Sequence, residues 1–179
     1  MLRKAFLDKG KLAHFAAAQF VTQAQRAVAQ RGQFLAAISG GGTPAPLYDL
    51  LAHEPYKQQV PWSQTHIFWG DERCVLPDQP GSNYKQAKEA LLDLVPLSDK
   101  KIYRIHGELD PQDAAQEYAD QLLVFASGGY RWPQFDLVLL GMGLTVTRLL
   151  SFRVLHQRAI NRRWRLQHNI KGGQRTGLH

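Results

Sequence analysis

Phe34-Leu35-Ala36-Ala37-Ile38-Ser39-Gly40-Gly41-Gly42-Thr43-Pro44 is the stretch that decides the fold. Five apolar residues in a row, bounded by turn formers, predict a short buried strand. Ser39-Gly40-Gly41-Gly42-Thr43 predicts a tight loop, because glycine reaches turn conformations that side chains oppose. Pro44 predicts a helix beginning there, where a missing N–H costs nothing, with Thr43 as its cap. Leu47, Leu50 and Leu51 would supply that helix's buried face.

Toward the N-terminus, Leu12, Phe15, Ala16, Phe20, Ala24 and Val28 recur at helical spacing, and Arg31-Gly32 should end an amphipathic helix. Toward the C-terminus, Thr65–Trp69 reads as a second strand, running into the polar cluster Gly70-Asp71-Glu72-Arg73. Asn83, with Gln86 three residues on, suggests a capping box for a helix through Leu92. Ile102–Ile105 is a third strand candidate. Asp110-Pro111 is a cap followed by a first-turn proline, and Ala115, Tyr118, Leu122 and Phe125 form the stripe of the helix that follows. Phe135–Leu140 is the strongest strand candidate. Strands alternating with helices predict an α/β fold, a parallel-type sheet flanked by helices. Ligands of such sheets sit at the carboxyl ends of the strands.

At 179 residues the chain fits one domain with a real core, and 44% hydrophobic and 21% charged residues suit a globular protein. No apolar run is long enough for a membrane span, and the first residues lack a signal peptide's pattern. Cys74 is the single cysteine, which suits a reducing compartment, so the cytoplasm is the expected location. The net charge is +7, but it is unevenly placed. Residues 1–143 carry 14 basic and 15 acidic residues, whereas residues 144–179 carry eight basic residues and no acid. A basic arm of that kind can bind nucleic acid through phosphate neutralisation, and Arg162, Arg163, Trp164 and Arg165 would be its best cluster.

Three clusters follow predicted strands: Ser39–Thr43, Gly70–Arg73 and Gly141-Met142-Gly143. Glycines 40–42 can turn backbone N–H groups toward an anion, with the next helix N-terminus adding partial positive charge. Ser39 and Thr43 can donate hydroxyl hydrogen bonds. The loop serves equally as a plain strand-to-helix turn. Asp71-Glu72-Arg73 could hold an anion through Arg73 and orient water or a hydroxyl through Asp71, or could be a solvated loop with an internal ion pair. Ser82-Asn83-Tyr84 could be a helix cap. His66 reads as structural, and His14, His53 and His106 read as surface residues. No His/Cys spacing suggests a metal site.

Taken in order, these clusters together with Phe135-Asp136-Leu137-Val138-Leu139-Leu140-Gly141-Met142-Gly143 resemble the 6-phosphogluconolactonases, members of the glucosamine-6-phosphate isomerase/6-phosphogluconolactonase family. The resemblance covers about residues 4–143. It implies a Rossmann-like, deaminase/lactonase fold and hydrolysis of 6-phospho-glucono-1,5-lactone to 6-phosphogluconate in the oxidative pentose phosphate pathway, without metal or organic cofactor. It assigns Gly40, Gly41, Gly42, Thr43 and Arg73 to the phosphate, with Ser39, Asp71 and Asn83 in support. The related deaminases typically carry Asp-Glu-Tyr where this chain has Asp71-Glu72-Arg73, so the arginine favours the lactonase over an amino-sugar-phosphate deaminase. The expected partner is a small sugar phosphate; nucleic acid is the less favoured alternative, and oligomeric state is left open.

After Gly-Met-Gly the family continues, one residue later, with Asp-Gly-His-Thr-Ala-Ser-Leu-Phe-Pro-Gly, whose His is the implied general base. A neutral imidazole suits that role near pH 7. This chain instead reads Leu144-Thr145-Val146-Thr147-Arg148-Leu149-Leu150-Ser151-Phe152-Arg153. Synonymous codons exist for this decapeptide (CTG ACG GTC ACA CGG CTT CTC TCT TTC CGG) that, read two bases on, spell Asp-Gly-His-Thr-Ala-Ser-Leu-Phe-Pro. A frameshift near residue 143 is therefore preferred to an evolved basic arm, and both to a genuine helix over residues 144–155. Residues 1–143 are then a partial, C-terminally incomplete domain, residues 144–179 are out of frame, and the chain is expected to be inactive or nearly so.

Overall fold

The structure, a computed structural model, describes residues 5, 6 and 8–140. The basic run from 144 onward, and with it the frameshift reading and the Arg162–Arg165 cluster, lies outside the described residues. Four parallel strands, β1 (Phe34–Ile38), β2 (Thr65–Trp69), β3 (Ile102–Tyr103) and β4 (Leu137–Val138), form a sheet in the order β3-β2-β1-β4. Among the described residues, five α-helices accompany them: α1 (Lys9–Arg31), α2 (Ala45–Ala52), the short α3 (Tyr56–Gln59), α4 (Asn83–Ala90) and α5 (Pro111–Leu123). The chain winds outward from β1 to β3, then returns to place β4 on the other side of β1. The strand order thus reverses between β1 and β4, the position at which open α/β sheets bind ligands.

β1 is buried along its whole length because both faces of the sheet are covered. Phe34, Ala36 and Ile38 face the larger core, built from α1, α2 and α4 through Ala16, Phe20, Leu47, Leu51, Ala87 and Leu91. Leu35 and Ala37 face the smaller core with Phe68, Val138 and the α5 residues Tyr118 and Leu122. Alternation of neighbouring residues between the two faces is the two-residue period of a strand. Phe20 meets Phe34 edge to face at 5.2 Å, a favoured geometry for buried rings. Each large apolar side chain buried in this way stabilises the fold by about 1.5–3 kcal/mol.

The predicted elements are present, with several boundaries moved. α1 extends a turn beyond the predicted span at its start, where the Asp8 carboxylate caps it by accepting from Gly10 N–H at 2.8 Å. Gly32, at φ +76°, ends it as expected. α2 begins at Ala45; Pro44 occupies the cap position with helical dihedrals, and no side chain caps it. Thr43 is therefore not the cap, and Pro46 rather than Pro44 is the first-turn proline. α4 is capped by Ser82, whose hydroxyl accepts from Lys85 N–H at 3.1 Å, so Asn83 is the first helical residue and not the cap. That helix ends at Ala90 rather than Leu92. In α5, Ala114 rather than Ala115 is buried with Tyr118 and Leu122, and Ala115 is half-buried. β3 and β4 are shorter than their apolar runs, because each keeps ladder pairing with its neighbour over only two residues. β4 is anchored by Asp136, which accepts from Leu35 N–H at 3.0 Å and pairs with Arg31. No described helix is long and apolar enough to cross a membrane.

Candidate active site

The glycine loop and the Asp71-Glu72-Arg73 loop leave their strands side by side. Ile38 and Trp69 are the last registered pair of β1 and β2, and Gly70 N–H donates to the Ile38 carbonyl at 2.8 Å. The glycine loop lies at the switch between β1 and β4, where Ser39 Oγ donates to the Leu139 carbonyl at 2.9 Å. From below, the Tyr48 hydroxyl of α2 donates to the Ser39 carbonyl at 2.5 Å. Burial raises the Tyr48 pKa above its ordinary value, and the nearby Asp71 carboxylate adds to the rise. The phenol is thus held protonated as a donor. At the end of β2, the Tyr118 hydroxyl accepts from Trp69 N–H and donates to the Trp69 carbonyl, at 2.9 and 2.8 Å.

The residues singled out in the sequence divide into two groups. Gly41, Gly42, Thr43, Asp71 and Arg73 are exposed and form a rim that a ligand could touch. Ser39 and Asn83 are buried in the frame beneath, with Gly40 half-buried between. Gly41 has φ +96°, a left-handed conformation that favours glycine, and its N–H donates to Gln86 Oε1 at 2.8 Å. Asn83 donates from Nδ2 to the Asp71 carbonyl at 3.0 Å, and its side chain fills the space beside Gly40. Among the described residues, the Arg73 guanidinium has no hydrogen-bond or ion-pair partner, which leaves its donors available to an anion.

Glu72, to which the sequence reading assigned no role, sits at the centre of the frame. Its Oε1 accepts from Arg73 N–H and Asn83 N–H, both at 2.7 Å. Oε2 accepts from Tyr84 N–H at 2.8 Å and lies 3.3 Å from Ser82 Oγ. The carboxylate thereby satisfies two of the N–H groups that the start of α4 leaves without helical partners. Gly107, in the loop after β3, was also missed. A β-carbon there would overlap the Arg73 carbonyl oxygen, so this loop braces the second flank of Arg73. Both relations join residues far apart in sequence, and local capping patterns do not reveal them.

A separate cavity of about 230 Å³ opens beside β3, lined by Tyr84, Asp99, Ile102, Arg104, His106 and Gln121. Arg104 is engaged bidentately by Glu108 at 2.9 and 2.6 Å, and His106 lies 2.9 Å from the Glu117 carboxylate. Arg104 and His106 already have carboxylate partners, so the rim at β1 and β2 is the better seat for an anion. His106, read as a surface residue, is in fact half-buried. His66 lies against Tyr103, whose hydroxyl is 3.2 Å from Nδ1, as suits a structural role. Among the described residues, no three His, Cys, Asp or Glu side chains gather as a metal site.

A parallel sheet with a glycine loop at its switch point and an acidic-arginine loop beside it defines an α/β fold with a candidate anion site at the strand ends. The chain belongs to the glucosamine-6-phosphate isomerase/6-phosphogluconolactonase family, whose profile matches residues 7–144. It is 43% identical over 125 residues to a 6-phosphogluconolactonase of Synechocystis, covering 68% of this chain and 50% of that protein. A Nostoc 6-phosphogluconolactonase is 41% identical over 125 residues, covering 69% of this chain and 50% of the relative. The crystal structure of a 6-phosphogluconolactonase from Shewanella baltica superposes with a TM-score of 0.66 at 31% identity, covering 78% of this chain and 56% of that one. The chain thus spans about half the length of the curated relatives it matches.

Proposed function

We propose that the rim formed by Gly41, Gly42, Thr43 and Arg73 binds the phosphate of 6-phosphogluconolactone or its product, and that the chain derives from a cytoplasmic 6-phosphogluconolactonase. The observation that carries this reading is the adjacency of the strand ends from which the exposed glycine loop and the Arg73 loop leave, with no hydrogen-bond or ion-pair partner for the Arg73 guanidinium among the described residues. Arginine presents donors in a fork that matches phosphate oxygens, and the start of α2 adds partial positive charge. Arg73 in place of the deaminases' tyrosine favours the lactone over an amino sugar. Ser39 and Asn83 support this seat from beneath, since their side-chain donors are directed at Leu139 and Asp71.

In the proposed reaction, water attacks the lactone carbonyl, the ring C–O bond breaks, and 6-phosphogluconate forms. A base must take the water's proton. The family's Asp-Gly-His segment is absent from residues 144–153, and Asp71 is the exposed carboxylate within the rim. General-base catalysis is worth roughly 10²–10⁴-fold, so the 179-residue chain is proposed to retain the phosphate seat and to have lost most of its turnover. We attribute the loss to a reading-frame change near Gly143, which makes residues 1–143 a partial domain.

The test compares lactone hydrolysis, corrected for spontaneous opening, by the chain and by a version with the reading frame restored after Gly143. Restored activity at least about 100-fold higher supports the proposal. Equal activity in the two would overturn it and place the base within residues 1–143.

A further inference from the structure

We propose that Glu72 is a positioning residue whose carboxylate sets the root of Arg73 for phosphate binding; this rests on the phosphate reading above. Four donors converge on this one side chain: the N–H groups of Arg73, Asn83 and Tyr84, and the Ser82 hydroxyl. The first belongs to the residue that would grip the ligand. The second belongs to Asn83, whose side chain holds the Asp71 carbonyl and packs against Gly40. Asp71 and Arg73 are therefore secured on either side of Glu72, and both are referred to the first turn of α4. An exposed arginine on a free loop would lose conformational entropy when it closed on phosphate, whereas a fixed root leaves only the side chain to order.

The chemistry requires an acceptor at both oxygens. Glutamine has nearly the same shape, but its amide group points donors at donors. With the amide nitrogen at the Oε1 position it would face the Arg73 and Asn83 N–H groups; at the Oε2 position it would face that of Tyr84. Glu72→Gln therefore disturbs the clamp without creating a cavity. A simple helix cap makes a different prediction, because loss of a cap would weaken α4 without reference to Arg73.

The experiment measures 6-phosphogluconate affinity by calorimetry, and stability by urea unfolding, for the full 179-residue chain and four variants: Glu72→Gln, Arg73→Ala, the double variant, and Ala87→Gly. Arg73→Ala should weaken binding about 10-fold or more, as expected for a lost charge-assisted hydrogen bond. Glu72→Gln should weaken it about 5- to 10-fold. In the double variant the affinity should be that of Arg73→Ala alone, since coupled residues are non-additive. Ala87→Gly weakens the middle of α4 through helix propensity and touches none of the four donors, and should lower stability while leaving affinity unchanged. Wild-type affinity in Glu72→Gln beside a weakened Arg73→Ala overturns the role of Glu72 alone. So does an equal loss caused by Glu72→Gln in both backgrounds, or a comparable loss in Ala87→Gly. Wild-type affinity in Arg73→Ala overturns the phosphate reading itself.

Discussion

The side chain of Asn83 occupies the space that a β-carbon on Gly40 would need: its Cβ, Cγ and Oδ1 would all overlap such an atom. This contact joins the glycine loop after β1 to the first residue of α4. It differs from the situation at Gly42, where an added β-carbon would meet nothing within 4 Å.

The two glycines should therefore respond differently to alanine. Gly40→Ala must displace Asn83 and with it the 3.0 Å hydrogen bond to the Asp71 carbonyl. Overpacking of this kind costs about 1–3 kcal/mol. Gly42→Ala should change stability by less than about 0.5–1 kcal/mol, because its site is open and its φ lies outside the left-handed region. Urea unfolding of the two variants beside the wild-type chain measures both. Equal stabilities for the two would mean that the Asn83 contact does not constrain Gly40.

Gly107 supplies a second test, on the opposite flank of Arg73. A β-carbon there would overlap the Arg73 carbonyl oxygen, which accepts from Val75 N–H at 2.8 Å. The obstructing atom is backbone and cannot swing away as a side-chain tip would. Gly107→Ala should lower stability by about 1–3 kcal/mol and weaken 6-phosphogluconate binding through the shifted loop. Unfolding curves and calorimetry on one protein preparation read both effects. A variant as stable as the wild type would show that the loop after β3 does not brace Arg73.

The Arg104–Glu108 pair makes the low-pH stability of the fold measurable. The bidentate hydrogen bond from Arg104 holds the Glu108 carboxyl down at about 2, well below the usual carboxylate range. A carboxyl depressed by folding contributes stability above its unfolded pKa, and that contribution is lost as pH falls from roughly 4.5 toward 2. Both side chains are 23% exposed, so solvent screening limits the pair to about 1 kcal/mol. The stability difference between wild type and Glu108→Gln should be largest near pH 7 and shrink by about half or more at pH 3. A difference independent of pH across that range would rule out the ion pair as its source.

Several parts of this molecule were legible in the chain because local sequence dictates them. The unbroken apolar run Phe34–Ile38 marked a strand covered on both faces, and the sheet bears this out. Asp110-Pro111 placed the start of α5 correctly, because a side-chain acceptor two residues before Gln112 and a proline lacking N–H both act within one turn. The cap of α4 was misplaced by one residue for an instructive reason. Ser82 and Asn83 are both good caps, and the choice between them is made by Glu72, ten residues upstream of Ser82. Once that carboxylate takes the Asn83 and Tyr84 N–H groups, the Asn83 side chain is free to turn toward Asp71.

The sequence alone determined the family and the alternation of strand and helix, and it singled out Gly41, Gly42, Thr43, Asp71 and Arg73 for the proposed rim. These follow from short-range patterns: hydrophobic period, glycine and proline placement, and residue types suited to an anion. Only the tertiary structure separated the exposed rim from the buried frame, gave Glu72 its four donors, and brought Gly107 against Arg73. Those relations depend on which loops meet at the ends of β1, β2 and β3. A parallel sheet draws such loops together from positions dozens of residues apart, so no local pattern encodes them.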